Sequence, residues 1–267
     1  MKMVSAAKMR GDTNRLLAAK PFAKWVDALG TKTQAIEFMD VSGFPKTNLF
    51  VCFTTDKGLC GGVNSFISRG MRKIAASLTK EGKTFKVVVY GEKGRGQLKR
   101  ILGDDVVVAC TESIHPATFN SLSAFTNEVL KVDPADYQAM HLVYNQFKSA
   151  VLYTSTVKTM PSLAGVGLDE PLMGYEFEPE TKNEVVADLK EYMVASSAFY
   201  SVIENAASEQ SARTAAMEGA SKNAGELIVA LTLKYNKARQ TRITTELIEI
   251  ISGESIFVSR CYVLVFF

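Results

Sequence analysis

Two glycine-rich segments come closest to a chemical motif in this sequence. Residues 58–62 and 91–96 each follow a predicted strand, the position at which glycine-rich loops hold phosphate groups with backbone amides. Neither has the spacing GxGxxG, or GxxxxGK followed by Ser or Thr, that nucleotide-binding loops require. Glu92 would also place a negative charge in the second loop. We therefore favour tight strand-to-helix turns and keep nucleotide binding as the alternative.

Residues that could act as nucleophiles, general bases or metal ligands are few and scattered. No two of the four cysteines form a CxxC pair; they are Cys52, Cys60, Cys110 and Cys261. His115 and His141 lie 26 residues apart, and zinc sites or disulfide frameworks need closer, paired spacing. Asp104 and Asp105 are adjacent but lie in a turn, where exposed aspartate is common. The sequence thus predicts no catalytic residues, no metal site and no cofactor held by the chain itself.

Composition excludes several classes of protein. The chain has 267 residues, of which 47% are hydrophobic and 22% charged, enough for a sizeable core. Its net charge is only +3, and acidic residues are interleaved with basic ones, so we expect no nucleic-acid partner. No apolar stretch reaches the roughly 20 residues of a membrane-spanning helix, and the first residues lack the apolar centre of a secretory signal. We expect a folded chain with a sizeable core and no direct membrane span.

The hydrophobic period divides the chain into three regions. Residues 1–40 have a helical pattern interrupted by Pro21. Residues 47–160 alternate between strand and helix patterns, which predicts an α/β domain with a largely parallel sheet. Strands are expected at 48–54, 85–90 and 106–109, and helices at 63–78, 93–102 and 116–131. Two further strands at 140–144 and 150–156 could pair antiparallel.

The third region, residues 180–253, is predicted to be one helix. Pro179 is the last proline, Thr181 and Glu184 have the spacing of a capping box, and Gly253 is the first residue expected to end the helix. About 72 helical residues would span about 108 Å. A compact globule of this size has a radius of gyration of about 18 Å, so the helix cannot lie inside one.

Residues along this helix recur at alternating spacings of three and four. These positions are Leu189, Tyr192, Ser196, Phe199, Ile203, Ala206, Gln210, Arg213, Met217, Ala220, Ala224, Leu227 and Leu231. Most are apolar, and six heptads of this period indicate a coiled coil. Gln210 and Arg213 interrupt the seam, which indicates that the seam there is either exposed to water or in contact with something other than a plain helix. The companion within the chain is the helix of residues 1–40, which is about half as long.

The end of the long helix is apolar around most of its circumference. The residues concerned are Ile243, Leu247, Ile248, Ile250 and Ile251. A bare helix of this kind is not stable in water, so we expect other chains to enclose it. A basic stretch precedes it, formed by Lys234, Lys237, Arg239 and Arg242. Favourable charge near a helix C-terminus would explain this stretch, but we favour contact with acidic loops of a partner.

Five segments, in order along residues 1–253, resemble the gamma subunit of ATP synthase. They read MKMVSAAKMR from Met1, TDKGLCGGVN from Thr55, SEQSAR from Ser208, YNKARQ from Tyr235 and ITTELIEIISG from Ile243. The stretch ELIEIISG is more similar to mitochondrial than to bacterial members. The resemblance implies an antiparallel coiled coil of residues 1–40 and 180–253 together with a central, Rossmann-like α/β domain at residues 47–160.

The resemblance also implies a function. The chain would be the central-stalk rotor of the proton-translocating ATP synthase, without catalysis of its own, enclosed by alpha and beta subunits that bind ATP, ADP and Mg. It would couple proton-driven rotation to ATP synthesis on those subunits. Its α/β domain would face an epsilon- or delta-type small subunit and the membrane c-ring. The location implied is the matrix side of the mitochondrial inner membrane, peripherally bound, or the cytoplasmic side of the bacterial inner membrane as the alternative.

Four residues match the shaft positions that contact loops of the beta subunits in that family: Arg239, Gln240, Thr244 and Glu249. Two features depart from the family. Met1 corresponds to an internal methionine of the first helix, which suggests a truncated N-terminus. Residues 254–267 form an atypical tail, in which ten of the last 13 residues are apolar and the pattern is typical of aggregation-prone segments.

Two other functions remain open at this point. The first is a free-standing α/β enzyme that binds a nucleotide at residues 91–96 and uses the long helix as a dimerisation arm. The second is a coiled-coil adaptor unrelated to energy conversion, which would form homodimers.

Overall fold

The computed structural model describes residues 1–28, 31–132, 137–161 and 182–264. Five α-helices are described: α1 Lys2–Ala28, α2 Val63–Lys80, α3 Glu92–Leu102, α4 Phe119–Leu130 and α5 Lys182–Leu264. Six strands are described: β1 Lys32–Ala35, β2 Thr47–Phe53, β3 Thr84–Tyr90, β4 Val106–Cys110, β5 Ala139–Phe147 and β6 Tyr153–Pro161. The chain divides into two units, Met1–Met217 and Glu218–Phe267.

The six strands form one mixed sheet in the order β1-β6-β5-β2-β3-β4. β2 pairs parallel with both β3 and β5, and β3 pairs parallel with β4. β5 and β6 pair antiparallel, as do β1 and β6. The predicted α/β class is confirmed, and each strand predicted within residues 47–160 lies within a few residues of its expected place.

Helices cover both faces of the sheet, which explains why β2 is buried along almost its whole length. On one face, Phe50 of β2 packs in a core with Ile67 and Met71 of α2 and Leu98 of α3. On the other face, Leu49 packs in a core that includes residues of α1, α4 and α5. The alternation of side chains along β2 therefore assigns α2 and α3 to one layer and the remaining helices to the other.

Helices α1 and α5 pack antiparallel within the first unit. Trp25 stacks on Tyr192, with 5.5 Å between ring centroids. Phe22 meets Phe199 edge-on at 6.2 Å. Further along, Leu16 and Ala19 pack with Ile203 and Ala207. Residue numbers fall along α1 as they rise along α5, so the expected antiparallel pairing of the two terminal helices is confirmed.

The predicted extent of the first helix, residues 1–40, is wrong at its C-terminal end. α1 continues through Pro21 and ends at Ala28. Residues 32–35 then form the edge strand β1, in which Lys32 pairs with Thr159 and Ala35 with Thr156. The side chains of β1 are mostly exposed, so main-chain pairing with β6, rather than hydrophobic pattern, determines its conformation.

The predicted end of the long helix at Gly253 is also wrong. α5 begins at Lys182 and continues through Gly253 to Leu264, so the first part of the atypical tail is helical. A single glycine inside a helix costs only about 1 kcal/mol relative to alanine, and no proline follows it to end the helix. The expected capping residue Thr181 and residues 265–267 lie outside the described residues.

Candidate functional site

The glycine-rich segment 91–96 packs against β2 and does not offer a phosphate site, because the N-terminal amides of α3 already donate hydrogen bonds to other residues of the chain. The amide of Glu92 donates to Asp56 Oδ1 at 2.9 Å, and that of Lys93 to the carbonyl of Thr55 at 3.0 Å. The amide of Gly94 donates to Thr54 Oγ1 at 3.1 Å. These are the groups that would hold a phosphate at a helix N-terminus. Their partners belong to the chain, in agreement with the turn interpretation.

Close approach to β2 explains why glycine stands at two of these positions. Gly91 has φ 107°, a left-handed conformation that side chains rarely adopt, and a Cβ there would lie 2.7 Å from the carbonyl oxygen of Thr54. A Cβ on Gly94 would collide with the side chain of Thr54. The sequence spacing could not distinguish this close packing from a phosphate loop, but the contacts do.

The carboxylate of Asp56, just after β2, connects its own loop by hydrogen bonds to the loops that follow β3 and β4. Its carboxylate also accepts hydrogen bonds from the hydroxyl of Ser113 at 2.6 Å and from the amides of Ser113 at 2.9 Å and Glu112 at 3.3 Å. Burial raises the pKa of Asp56, but these bonds and that from Glu92 together hold the pKa below its ordinary value. A carboxylate whose acceptors are all engaged positions loops rather than performing acid–base chemistry.

Helix α5 packs against the carboxyl end of β2. β2 lies between β3 and β5, where the strand order reverses, and open α/β sheets bind ligands beside this point. Here Asn205 Nδ2 donates to the carbonyl of Thr54 at 3.4 Å and Asn145 Nδ2 donates to Asn205 Oδ1 at 2.9 Å. Ser208 Oγ donates to the carbonyl of Asn145 at 3.0 Å. Side chains of α5 thus engage the polar groups at the end of β2, beside an open cavity lined in part by Lys57, His115 and Arg213.

Arg213 explains the interruption in the coiled-coil seam. Its guanidinium forms an ion pair with Glu209, donates to Gln210 Oε1 at 2.9 Å and reaches the carbonyl of Gly58 at 3.4 Å. Two of the segments that carry the family resemblance, 55–64 and 208–213, therefore contact each other. The expectation that the seam contacts something other than a plain helix here is confirmed for Arg213, which reaches the loop at Gly58.

The predicted partner-contact residues all lie in the second unit, on exposed turns of α5. At about 100° per residue, Gln240 and Thr244 share a face, whereas Arg239 and Glu249 lie about 100° and 140° from it on either side. Thr244 Oγ1 donates to the carbonyl of Gln240 at 2.9 Å. The four side chains thus point in several directions around the helix axis. This distribution suits contact with partners on several sides.

The apolar end of the helix is exposed in the chain alone. More than half of each side chain is accessible, from 56% to 67%, at Ile243, Leu247, Ile248, Ile250 and Ile251. Exposed apolar surface of this extent marks a protein interface. Nearby, Arg242 pairs with Glu246 at 2.8 Å, so charge and apolar surface are interleaved along the second unit.

The histidines and cysteines do not assemble into a site. His141 is buried between Phe44 and Phe50, and its ring nitrogens lie 3.0 Å from Asn48 Oδ1 and from Thr159 Oγ1. Burial lowers its pKa to about 3, so it is a neutral core residue. Among the residues that the structure describes, no group of three or more His, Cys, Asp or Glu side chains could hold a metal ion. Asp104 and Asp105 lie in an exposed 3-10 turn.

Sequence reasoning missed Glu204, a buried carboxyl group between α5 and the sheet. Its side chain is almost inaccessible, and the hydroxyl of Tyr200 donates to its Oε1 at 2.9 Å. Burial raises its pKa to about 7. Nearby, Lys158 of β6 pairs with Asp27 of α1 at 2.7 Å. The sequence contains no signal for this cluster, because its members come from three separate elements.

Comparison with known proteins identifies the family. A family model described as ATP synthase matches residues 1–256. The ATP synthase gamma chain of Paramagnetospirillum magneticum is 37% identical, covering 95% of this chain and 91% of the relative. The mitochondrial ATP synthase subunit gamma of Ipomoea batatas is also 37% identical, over 96% of this chain and 78% of the relative. The chain therefore belongs to the ATP synthase gamma family.

Solved structures agree with this assignment. A chain of the central stalk and c-ring structure of Tetrahymena thermophila mitochondrial ATP synthase matches with a TM-score of 0.67 and 30% identity, covering 83% of this chain and 97% of that one. The expected architecture and the function as a central-stalk rotor subunit are confirmed. The alternative of a free-standing nucleotide-binding enzyme receives no support.

Proposed function

We propose that this chain couples rotation to ATP synthesis without catalysing it, and that ATP, ADP and Mg bind to alpha and beta subunits that enclose α5. The exposed apolar end of α5 carries this proposal, because such a surface requires a partner. The occupied amides of α3 and the hydrogen bonds that α5 forms at the end of β2 support it, since these backbone groups are already engaged.

Coupling requires that the shaft bind each partner conformation differently, because a rotor shifts a partner's equilibrium only by differential contact. We assign this role to Arg239, Gln240, Thr244 and Glu249, which are exposed and distributed around the helix. Charged and amide groups can form charge-assisted hydrogen bonds with partner loops at particular rotor angles. Each angle would then favour one state of the adjacent catalytic site.

The α/β domain would contact the small epsilon- or delta-type subunit and the c-ring. The relatives in Ipomoea batatas and Arabidopsis thaliana are named as mitochondrial, which supports a peripheral position on the matrix side of the mitochondrial inner membrane, with the bacterial inner membrane as the alternative. In the described part of the chain, no helix is long and apolar enough to cross a membrane.

Native mass spectrometry of the complex purified from its source tests the assembly. We expect one copy of this chain with six larger subunits. A homodimer, or a monomer separate from larger subunits, would contradict the proposal. Equilibrium dialysis of the isolated chain against ATP is the companion test, and micromolar binding would point back to the enzyme alternative.

The contact residues can be tested by the double substitution Arg239→Ala with Gln240→Ala. Loss of two such hydrogen bonds should lower ATP synthesis about tenfold or more, while the first unit remains folded by circular dichroism. Lys222→Ala with Asn223→Ala is the matched control, since it removes an exposed cation and an amide from the same helix. Equal loss in both variants would refute the assignment.

A further inference from the structure

Helices α2 and α3 together present a surface with one sign of charge, here termed the basic helix face. On α2 it consists of Arg69, Arg72, Lys73 and Lys80, all exposed. On α3 it consists of Lys93, Arg95, Lys99 and Arg100, also exposed. The two helices cover the same side of the sheet and are joined by a hydrogen bond of 2.7 Å from Ser68 Oγ to Gln97 Oε1. Their cations therefore lie on the outer side of one helical layer.

Helical periodicity separates these cations from the core. On α2, Arg69, Lys73 and Lys80 lie within an arc of about 40°. The apolar residues of the same helix, including Ile67 and Met71, face the sheet and are buried. The hydrophobic pattern that folds α2 onto the sheet thus directs its positive charge to solvent.

Within α2 and α3 the positive charge is almost uncompensated, although Glu81, Asp104 and Asp105 follow directly after the two helices. Glu92 is the only carboxylate of the two helices, and it pairs with Arg95 at 2.7 Å. Eight cations and one carboxylate give α2 and α3 a charge of +7, whereas the whole chain carries +3, so the rest of the chain carries −4. Among the described residues, none of the other seven cations forms a salt bridge. Such separation of charge creates a positive potential over one side of the first unit.

We propose that the basic helix face binds anionic phospholipid headgroups of the membrane to which the complex is attached. This inference rests on the proposed function, which places the chain in a membrane-bound rotary complex. Four of the cations are arginines, whose planar guanidinium groups bind phosphate oxygens in pairs. Attraction to a charged membrane surface acts within about 10 Å at moderate salt and increases with each added cation.

Rotation favours lipid over a stationary acidic protein as the occupant, and an acidic subunit that turns with the shaft is the competing occupant that the variants below distinguish. A directional contact with a fixed subunit would be lost at most rotor angles and would oppose turning. A lipid surface is fluid and offers the same headgroup chemistry at every angle, so it can attract the face without fixing its orientation. Phe66, which is 42% exposed and stacks beneath Arg69 at 4.9 Å, adds an apolar edge to the same surface.

Vesicle flotation of the full chain tests this inference. The vesicles would contain phosphatidylcholine alone, or phosphatidylcholine with one third replaced by phosphatidylglycerol, each at low and high salt. We expect binding to the anionic vesicles only, and loss of binding at high salt. Failure to bind anionic vesicles at low salt would overturn the inference but would leave the rotor proposal intact, because that proposal is tested by assembly with the larger subunits.

Two variants of equal net charge locate the binding surface. The first replaces Arg72, Lys73, Lys99 and Arg100 by Gln. The control replaces Lys24, Lys32, Lys46 and Lys148 by Gln, four exposed cations of the first unit outside α2 and α3. At about fivefold per cation, the first variant should lose affinity on the order of a hundredfold or more, and the control only a few-fold. All eight positions are exposed, and circular dichroism checks that both variants fold.

Equal losses in the two variants would show that net charge alone drives binding and would overturn the inference. The same holds if the first variant keeps its vesicle affinity but no longer retains an acidic subunit in the purified complex, because the face would then serve a protein.

Discussion

Replacing Glu204 by Gln should remove the contribution of this carboxyl group to the pH dependence of the first unit's stability, which lies between about pH 4.5 and pH 7. The Glu204 side chain is only 3% exposed. Oε1 accepts the Tyr200 hydroxyl, while Oε2 has no hydrogen-bond partner. Other groups face it from neighbouring elements: Lys158 of β6, Tyr144 of β5, and Lys20 and Asp27 of α1.

The magnitude follows from the pKa of this carboxyl group. Burial raises the pKa from 4.5 to about 7, although the hydrogen bond from Tyr200 and the nearby lysines oppose the shift. Between these two values Glu204 binds more protons in the native state than in the unfolded state, so its contribution to stability falls as pH rises and levels off above about pH 7. Buried His141 contributes in the opposite direction, equally in wild type and variant. A rise of the pKa from 4.5 to about 7 corresponds to at most about 3 kcal/mol in the free energy of unfolding.

The side-chain amide that Glu204→Gln introduces can still accept the hydrogen bond from Tyr200, but it cannot ionise. Near pH 5 the two proteins should therefore differ little, and at about pH 8 the variant should be more stable by up to about 3 kcal/mol. Urea unfolding across this range measures the difference, and fluorescence of Trp25, the single tryptophan, reports on the packing of α1 against α5. Glu191→Gln, which alters an exposed carboxyl group on the same helix, is the control. Parallel pH profiles for wild type and Glu204→Gln would refute the reasoning.

Three further substitutions test other parts of the structure. Gly94→Ala should destabilise the chain by about 1–3 kcal/mol in urea unfolding, because the added Cβ would collide with Thr54. Gly96→Ala is the control and should not destabilise the chain, because a Cβ there points into open space. Equal effects would contradict the packing argument. Arg213→Ala should lower the free energy of unfolding by about 3–5 kcal/mol, because buried Glu209 is left without its partner. Adding Glu209→Gln should recover part of this loss in the same assay. No recovery would exclude the ion pair as the cause. Leu247→Asp should change the stability of the isolated chain by less than about 0.5 kcal/mol yet prevent assembly with the larger subunits; normal assembly on native gels would count against enclosure of the helix end.

Much of the fold could be predicted from sequence because its signals are local. The run from Thr47 to Phe53 is apolar and β-branched, and α2 carries its apolar residues at spacings of three and four. β1 escaped prediction because the sequence KTQA at residues 32–35 contains no alternation of apolar and polar residues. Its conformation depends on pairing with β6, which lies more than 120 residues away.

The site was predictable to a lesser extent, for two physical reasons. Arg213 interrupts the heptad pattern, and this irregularity correctly indicated a polar contact. The sequence around Glu204 has no comparable irregularity, since only folding brings Lys158 and Asp27 near this residue. The roles of Arg239, Gln240, Thr244 and Glu249 depend on surfaces of other chains, so they remain predictions that no property of this chain alone can decide.

At the carboxyl end of β2, side chains of α5 form the hydrogen bonds that a bound ligand could otherwise form. Because Asn205 and Ser208 are covalently tethered to the domain that they contact, their effective concentration there far exceeds that of a metabolite in solution. A competitor would have to displace both side chains and leave the carbonyls of Thr54 and Asn145 in need of new donors. The strand ends that bind ligands in many α/β proteins here hold a helix of the same chain in place.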